Sequence, residues 1–257
     1  MATLQDKLTP KTCLVIVAHP DDIEYFCAGT LRKWIKDGCH VCCVVTSSGE
    51  KGNNDITIDA NEFIRIREME QVESAKVLGI QSDDIMFLHY PDSELSFVDS
   101  NILREEFVRQ IRRTKPEIIL THDPLVRTIR QHPDHRFVGQ IAFDASFPIS
   151  VVAQCYSKQI TEEGLSPHQA MYVLLFGTDQ PNLAIDISDT LTDKVLALKQ
   201  HVSQEGAFSG GIEKRLEWKS RSIGQKYGLK HAEEFLLVRV GATPPESDAF
   251  DPQVKMD

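Results

Sequence analysis

The sequence predicts an α/β fold built on a doubly wound, mostly parallel sheet with helices on both faces. Short apolar runs rich in β-branched residues alternate with longer amphipathic segments along the first 121 residues. The apolar runs are typical of buried strands, and the amphipathic segments have the apolar spacing of helices. Strands and helices that alternate in this way pair in parallel, because each helix returns the chain to the same end of the sheet.

The elements of the first half follow in order. The predicted strands span 12–18 (TCLVIVA), 40–46, 85–88 and 117–121, and the predicted helices span 22–37, 62–78 and 101–114. Gly38 and Gly79 follow the first two helices as C-caps, and Pro116 stops the third helix. The polar, glycine-bearing segment 48–60 (SGEKGNNDITIDA) is predicted to be a loop.

The second half has a looser pattern. Strands are predicted at 170–176, 183–187 and 235–240, and helices at 191–202 and 212–227. The length of 257 residues fits one large α/β domain, which we expect to span 1–242. The remaining segment 243–257 (TPPESDAFDPQVKMD) is polar and proline-bearing, so we expect a flexible tail there.

The composition argues against several classes of protein. A net charge of −10 disfavours a nucleic-acid-binding surface, and no apolar run approaches the roughly 18 residues of a membrane span. The polar first residues show no secretory signal, so a reducing, cytoplasmic location is expected for the six cysteines. Cys39 and Cys42 form a C-x-x-C spacing, but no second pair follows it at the spacing of a zinc site.

Two related motifs stand where predicted strands end. HPDD (19–22) follows the first strand, and HPDH (132–135) lies in the loop region after the fourth strand. A single His-Pro-Asp is commonly a turn or a helix start, because Asp caps helices well. In a doubly wound sheet, however, these two strands flank the crevice in which ligands bind. The pair of motifs therefore predicts a functional site.

The residue types of the two motifs point to a metal ion. His19 and Asp22 are three residues apart across a turn, so both side chains can point the same way, and His135 would supply a third ligand. Catalytic zinc takes three such protein ligands and keeps a fourth position for water. We therefore expect Zn²⁺ here, although the ligand types also suit another divalent ion.

The remaining motif residues suit the chemistry of hydrolysis. Asp21 is left beside the metal and could accept a proton from the attacking water as a general base. His132 could stabilise an oxyanion or protonate a leaving amine, and Asp134 could orient a histidine. The chain has no G-x-G-x-x-G fingerprint around Gly29 and no G-x-S-x-G motif, so neither a dinucleotide site nor a serine hydrolase is supported.

These motifs carry a resemblance to a known family. The chain resembles the PIG-L/LmbE-like de-N-acetylases over nearly its whole length, except at the two ends. The matching pieces are AHPDDIEYFCAGTL (18–31), TSSGEKG (46–52), RIREMEQVESAKVLGI (65–80), YPDSEL (90–95), THDP (121–124) and HPDHR (132–136). The paired HPDD and HPDH motifs are the most specific of these pieces.

The resemblance implies a Rossmann-like fold and a mononuclear zinc site. By motif position it assigns His19, Asp22 and His135 to the metal, Asp21 to the general base, and His132, with Asp134 beside it, to electrostatic or acid help. It also implies that Arg67 and Asp92 contact a sugar. The simpler interpretation of Arg67 is a solvated helix face, because its neighbours in the sequence are charged.

The function expected from this resemblance is zinc-dependent removal of an N-acetyl group from an N-acetylglucosamine-type sugar or sugar conjugate. The expected partner is the small amino-sugar substrate, and homo-oligomers are common in the family. Two alternatives stay open: a non-catalytic metal- or sugar-binding module, and a metal-dependent phosphoester hydrolase, which would bind two metals.

Some residues depart from the family pattern or stand outside it. Arg130 and Gln131 stand where many relatives have an aspartate, which bears on substrate identity more than on chemistry. His122, His168 and His201 are interpreted as hydrogen-bonded structural histidines.

Overall fold

The computed structural model describes residues 8–53, 55–128, 131–207 and 210–240. Its strands are β1 (Thr12–Val17), β2 (His40–Ser47), β3 (Ile85–Tyr90), β4 (Ile118–His122), β5 (Tyr172–Phe176), β6 (Leu183–Asp186) and β7 (Ala232–Arg239). They form a seven-stranded sheet in the order β3-β2-β1-β4-β5-β7-β6. The first five strands pair in parallel, whereas β7 runs antiparallel to both β5 and β6.

Helices cover both faces of this sheet. They are α1 (Asp22–Phe26), α2 (Ala28–Lys36), α3 (Ala60–Leu78), α4 (Ser100–Thr114), α5 (Pro133–Asp144), α6 (Lys158–Thr161), α7 (Leu191–Leu198) and α8 (Ile212–Lys226). Short 3-10 turns lie at Ser82–Asp84, Leu95–Phe97 and Val202–Ala207, and a π-helical turn lies at Ala145–Ile149. One apolar core joins the sheet to α1, α2, α3 and α7, and a second core joins the other face to α4 and α5. The predicted fold class is therefore confirmed.

The strand order sets the position of the crevice. β1 and β4 are neighbours at the centre of the sheet, with Leu14 beside Ile119. The chain passes from β1 to helices on one face and from β4 to α5 on the other face. Such a switch point leaves a gap beyond the carboxyl ends of the two strands. The two predicted motifs begin at this gap.

The predicted helix 22–37 is two helices in the structure. Cys27 has a φ of −139°, which is outside the helical range, and separates α1 from α2. The carboxylate of Glu233 on β7 accepts hydrogen bonds from the amides of Gly29 (3.0 Å) and Thr30 (2.8 Å). Glu233 thus satisfies free N–H groups at the start of α2, a role that a local capping residue usually has.

Three further differences concern other elements. The sequence predicts a loop region around the HPDH motif, but the structure has α5 there, which begins at Pro133, a favoured first helical residue. The predicted helix 191–202 ends earlier, at Leu198. The antiparallel course of β7 departs from the parallel pairing of the first five strands.

Gly139 sets the distance between α5 and the sheet. A Cβ atom at this position would lie 2.4 Å from the backbone oxygen of His122, closer than real contacts allow. The absence of a side chain lets α5 pack directly on β4. This close packing brings the first turn of α5 to the crevice.

The described part of the chain contains no helix long and apolar enough to cross a membrane. All six cysteines are free thiols. The predicted tail 243–257, the domain limit at 242 and Arg130 lie outside the described residues, so these expectations stay predictions.

Candidate active site

The HPDD motif forms a tight turn between β1 and α1. Asp21 has a φ of 95° and lies in the left-handed region, a conformation that costs a non-glycine residue about 1–3 kcal/mol. Two of the hydrogen bonds that hold this turn are donated by its backbone amides. The Asp21 amide donates to Oε1 of Gln71 (3.0 Å), and the His19 amide donates to Oδ2 of Asp22 (2.8 Å).

The three predicted metal ligands meet in the crevice. Nδ1 of His19 lies 3.2 Å from Nε2 of His135 and 3.5 Å from Oδ2 of Asp22, and Nε2 of His135 lies 3.1 Å from Oδ1 of Asp22. One ligand atom of each residue lies within 4.8 Å of the others. His19 and His135 are 116 residues apart in the chain. Two imidazoles and one carboxylate match the donor set of a catalytic zinc site.

A second group of ligand types shares one of these residues. His19, Asp92 and His132 also offer ligand atoms within 4.8 Å of one another. Nε2 of His19 lies 3.1 Å from Oδ1 of Asp92, whereas Nδ1 of the same ring lies beside Asp22 and His135. The two groups therefore meet on opposite nitrogens of one imidazole.

The pocket around His19 carries an excess of negative charge. Burial alone would lower the pKa of His19, but Asp134, Asp22 and Asp92 raise it well above its usual value. All three carboxylates are buried. Oδ1 of Asp134 has no hydrogen-bond partner among the described residues. Buried charges in proteins are paired or bind metals, so this pocket has the electrostatics of a cation site.

Asp22 is held in its charged form. Burial raises the pKa of its carboxyl, but neighbouring groups, His135 foremost, outweigh that effect and lower the pKa well below the usual value. A carboxylate that stays ionised can bind a cation without first losing a proton.

Asp21 lies beside Arg67. The Arg67 side chain is only 3% exposed; its Nη2 donates to the Pro20 carbonyl and lies 3.3 Å from Oδ2 of Asp21. The interpretation of Arg67 as a solvated helix residue is therefore wrong. Burial raises the pKa of Asp21, although Arg67 acts in the opposite direction. The Asp21 side chain is still 23% exposed, so water can reach it.

The HPDH motif starts α5 and faces the first motif. His132 is the N-cap residue of α5, and its Nδ1 accepts a hydrogen bond from the Asp134 amide (3.2 Å). In the neutral ring the proton then sits on Nε2, which becomes a donor. The ring of His132 lies edge-on to that of His19, with 4.7 Å between centroids. Asp134 accepts from the Ser93 amide (2.7 Å) and lies 3.4 Å from Nε2 of His19.

Asp92 joins two loops at the crevice. Its amide donates to both carboxylate oxygens of Glu50 (3.0 and 3.1 Å), and its Oδ2 accepts from the Lys51 amide (3.2 Å). Burial raises the pKa of Asp92, but the contacts with His19, Ser93 and His132 together outweigh this effect and the pKa falls to about 2. The segments TSSGEKG and YPDSEL therefore meet at the site through charged and hydrogen-bonded contacts.

His122 is a site residue that the sequence analysis left outside. It ends β4, its ring stacks on that of His135 with 4.0 Å between centroids, and its Nε2 lies 3.3 Å from Oδ2 of Asp22. Nε2 accepts from the Ala18 amide (3.2 Å), and burial lowers the pKa of the ring to about 3. His122 is therefore neutral, and its contact with Asp22 is not an ion pair. The feature that could have identified His122 as a site residue is its position at the end of a strand that lies beside β1.

Gln71 is a second residue that the sequence analysis missed. It lies one turn after Arg67 on α3, so both side chains reach the HPDD turn from the same face. Nε2 of Gln71 donates to Glu24 (2.9 Å), and Nε2 of His201 lies 3.3 Å from the same carboxylate. His201 thus contacts α1 through Glu24. His168 contacts the Pro116 carbonyl instead (2.7 Å).

Comparison with known proteins gives a consistent result. The profile of the family PIG-L, described as GlcNAc-PI de-N-acetylase, matches residues 14–146. Diacetylchitobiose deacetylase from Thermococcus kodakarensis is 31% identical over 219 residues, covering 85% of this chain and 78% of that protein.

Solved structures extend the likeness. N,N'-diacetylchitobiose deacetylase from Pyrococcus horikoshii, in complex with its inhibitor MPG, has a TM-score of 0.84 at 28% identity and covers 92% of this chain and 87% of that chain. GalB, the 4-carboxy-2-hydroxymuconate hydratase from Pseudomonas putida, has a TM-score of 0.73 at 19% identity and covers 92% of this chain and 100% of that chain. The likeness to GalB concerns the fold alone.

Proposed function

Because the chain belongs to the PIG-L family of GlcNAc-PI de-N-acetylases, we propose that it is a zinc-dependent N-deacetylase. It hydrolyses the amide bond of an N-acetylglucosamine-type sugar or sugar conjugate and releases acetate and a free amine. The relative named diacetylchitobiose deacetylase supports this substrate class. The convergence of His19, Asp22 and His135 within shared coordination reach carries the proposal.

His19, Asp22 and His135 would hold the metal ion. Two imidazoles with one carboxylate suit zinc, and the excess of buried negative charge around His19 favours a cation. A bound zinc ion supplies two kinds of help: it lowers the pKa of a water from about 15.7 to about 7, and it polarises a carbonyl oxygen.

Asp21 acts as the general base. It follows one proposed ligand and precedes another, and part of its carboxylate is open to solvent. Arg67 and the amide contact with Gln71 hold it in its left-handed conformation. From this position Asp21 accepts a proton as water attacks the amide carbon, and it can return that proton to the leaving amine.

His132 stabilises the charge that develops on the amide oxygen. The hydrogen bond from the Asp134 amide to Nδ1 leaves the N–H of the neutral ring on Nε2. A fixed donor of this kind is worth about 3–4 kcal/mol in comparable oxyanion sites. Asp134 holds the His19 ring in position through Oδ2. Arg67, whose Nε is buried without a partner among the described residues, and Asp92 are the proposed sugar contacts.

The alternatives have less support. Two independent three-ligand sites, as a two-metal phosphoester hydrolase needs, would both require His19. A non-catalytic binding module has no use for a base and an acid, yet both Asp21 and His132 lie in the crevice. The cytoplasmic location and a homo-oligomer stay predictions.

Acetate release tests the proposed reaction. The purified protein is stripped of metal with a chelator, reloaded with zinc, and incubated with a panel of N-acetylated mono- and disaccharides. We expect acetate from at least one N-acetylglucosamine-type sugar with the zinc-loaded protein and none with the stripped protein. A zinc-loaded protein that releases no acetate from any member of the panel contradicts the proposal.

The Asp21→Ala variant tests the role of the base. We expect turnover to fall at least about 10²-fold while zinc stays bound, because Asp21 is not a proposed ligand. Asp37→Ala, at an exposed position at the end of α2, is the matched control and should keep full turnover. Full turnover in Asp21→Ala would rule out the general-base role.

A further inference from the structure

A separate group of metal-ligand types lies at the opposite edge of the sheet. His40 and Cys42 are alternate residues of β2, so their side chains project from the same face of the strand. Asp84 ends the 3-10 turn before β3. Because Cys43 pairs with Ile85 in the parallel register, Asp84 comes next to Cys42.

The side chains of these three residues converge. Nε2 of His40 lies 2.9 Å from Oδ1 of Asp84, and Sγ of Cys42 lies 3.7 Å from the same oxygen. One ligand atom from each residue lies within 4.8 Å of the others. The His40 side chain is 59% exposed and that of Asp84 is 20% exposed, so a dissolved ion can reach the cluster.

This cluster is distinct from the candidate active site. His40 begins β2, whereas the HPDD and HPDH motifs lie beyond the carboxyl ends of the parallel strands. The eight residues of β2 span about 23 Å at about 3.3 Å per residue. An ion at His40 therefore has no ligand in common with an ion at His19.

The donor set indicates which ions fit. A thiolate, an imidazole and a carboxylate are ligands of zinc and similar metals, and three of them leave a fourth position for water. Magnesium and calcium prefer oxygen ligands and do not suit a thiolate. Cys39, the other member of the C-x-x-C spacing, is buried with its thiol near the His40 carbonyl and takes no part in the cluster.

We propose that His40, Cys42 and Asp84 bind a zinc-like divalent cation. Binding deprotonates the Cys42 thiol and releases that proton to solvent. The ion links β2 to the turn before β3, and β3 has only β2 as a neighbour in the described sheet. It thereby holds β3, the edge strand that leads to Asp92, against β2.

Cobalt(II) tests the proposal, because a Co²⁺–thiolate bond gives a charge-transfer absorption band that imidazole and carboxylate ligands do not give. The full-length reduced protein is titrated with Co²⁺. We expect the band in the wild type, no band in Cys42→Ser, and at least a 10-fold weaker affinity in His40→Asn, since loss of even an outer partner costs about 10–100-fold.

Two control variants match these changes. Cys155→Ser removes the other partly exposed thiol, and His89→Asn removes an exposed histidine that likewise pairs with a carboxylate, Glu68 (2.9 Å). Both should keep the band, and so should His19→Ala, which makes the result independent of the proposed function. A wild type without the band, or a Cys42→Ser protein that keeps it, overturns the proposal.

Thermal stability provides a second measurement. An ion that binds only the folded protein raises Tm by mass action. We expect Zn²⁺ to raise the Tm of His19→Ala by about 2 °C or more, and to leave the Tm of the His19→Ala/Cys42→Ser double variant unchanged. An equal rise in both proteins contradicts an ion at Cys42.

Discussion

At the residue scale, His19 connects the parts of the candidate site to one another. Its Nδ1 lies beside Asp22 and His135, and its Nε2 lies beside Asp92 and Asp134. One ring therefore contacts both motifs and the loop that carries Asp92. Loss of this ring should remove a proposed ligand and also take one contact each from the buried carboxylates of Asp22, Asp92 and Asp134.

The His19→Ala variant tests this role directly. We expect it to lose zinc from the candidate active site, because two ligands remain where three are needed. Metal analysis of the purified protein in the Cys42→Ser background measures this loss without a contribution from the second proposed site. His89→Asn in the same background is the control and should retain about one zinc per chain. Retention of zinc by His19→Ala would contradict the assigned ligand set.

At the element scale, one buried ion pair holds α2 against the rest of the fold. Nζ of Lys194 on α7 donates to Oε1 of Glu233 on β7 and to the Tyr25 carbonyl (3.0 Å). The Lys194 and Glu233 side chains are only 3% and 4% exposed. Glu233 also accepts the amide hydrogen bonds at the start of α2. The HPDD turn and α1 precede this junction directly.

Glu233→Gln should therefore lower the free energy of unfolding by about 3–5 kcal/mol. The reason is that Lys194 would remain buried without a counter-charge. Urea denaturation measures the change. Glu234→Gln is the matched control, because its partner Lys226 is 56% exposed and such surface pairs contribute about 0–1 kcal/mol. Equal decreases in the free energy of unfolding in the two variants would contradict the prediction, because the buried ion pair would then contribute no more than the exposed one.

At the scale of the whole molecule, the stability should depend on pH through Lys219 of α8. Nζ of Lys219 lies 3.6 Å from the centre of the Tyr25 ring and 4.7 Å from that of Phe26. Burial lowers the pKa of Lys219 to about 7, and Lys194 adds to the effect while Glu233 opposes it. The unfolded chain has a lysine pKa of about 10.4.

The sign of the effect follows from these two pKa values. Between about pH 7 and about pH 10.4, Lys219 is mostly protonated in the unfolded chain and mostly deprotonated in the folded chain. The free energy of unfolding of the wild type should therefore rise with pH, relative to Lys219→Met, from about pH 7 to about pH 10. Denaturation at several pH values measures the difference. Lys226→Met, at an exposed lysine, is the control, and an equal pH dependence in both variants would contradict the prediction.

Much of the fold could be predicted because its first half follows a local pattern. Each strand and helix up to β4 is encoded by apolar spacing within a few residues, so the neighbouring positions of β1 and β4 followed from the alternation. The second half has no such rhythm. β7 lies between β5 and β6 and antiparallel to both, and only the packing of the finished sheet decides that.

The candidate site likewise has features that the sequence predicts and features that only the folded structure reveals. The sequence by itself determined the motif pair, because His19 and Asp22 lie within one turn and both motifs follow central strands. Only the tertiary structure decided that Arg67 is buried against Asp21, that His122 stacks on His135, and that Glu233 caps α2. Spacing along the chain specifies contacts within a turn or a strand. Contacts between residues 46 or 204 positions apart exist only once the packed helices and sheet bring them together.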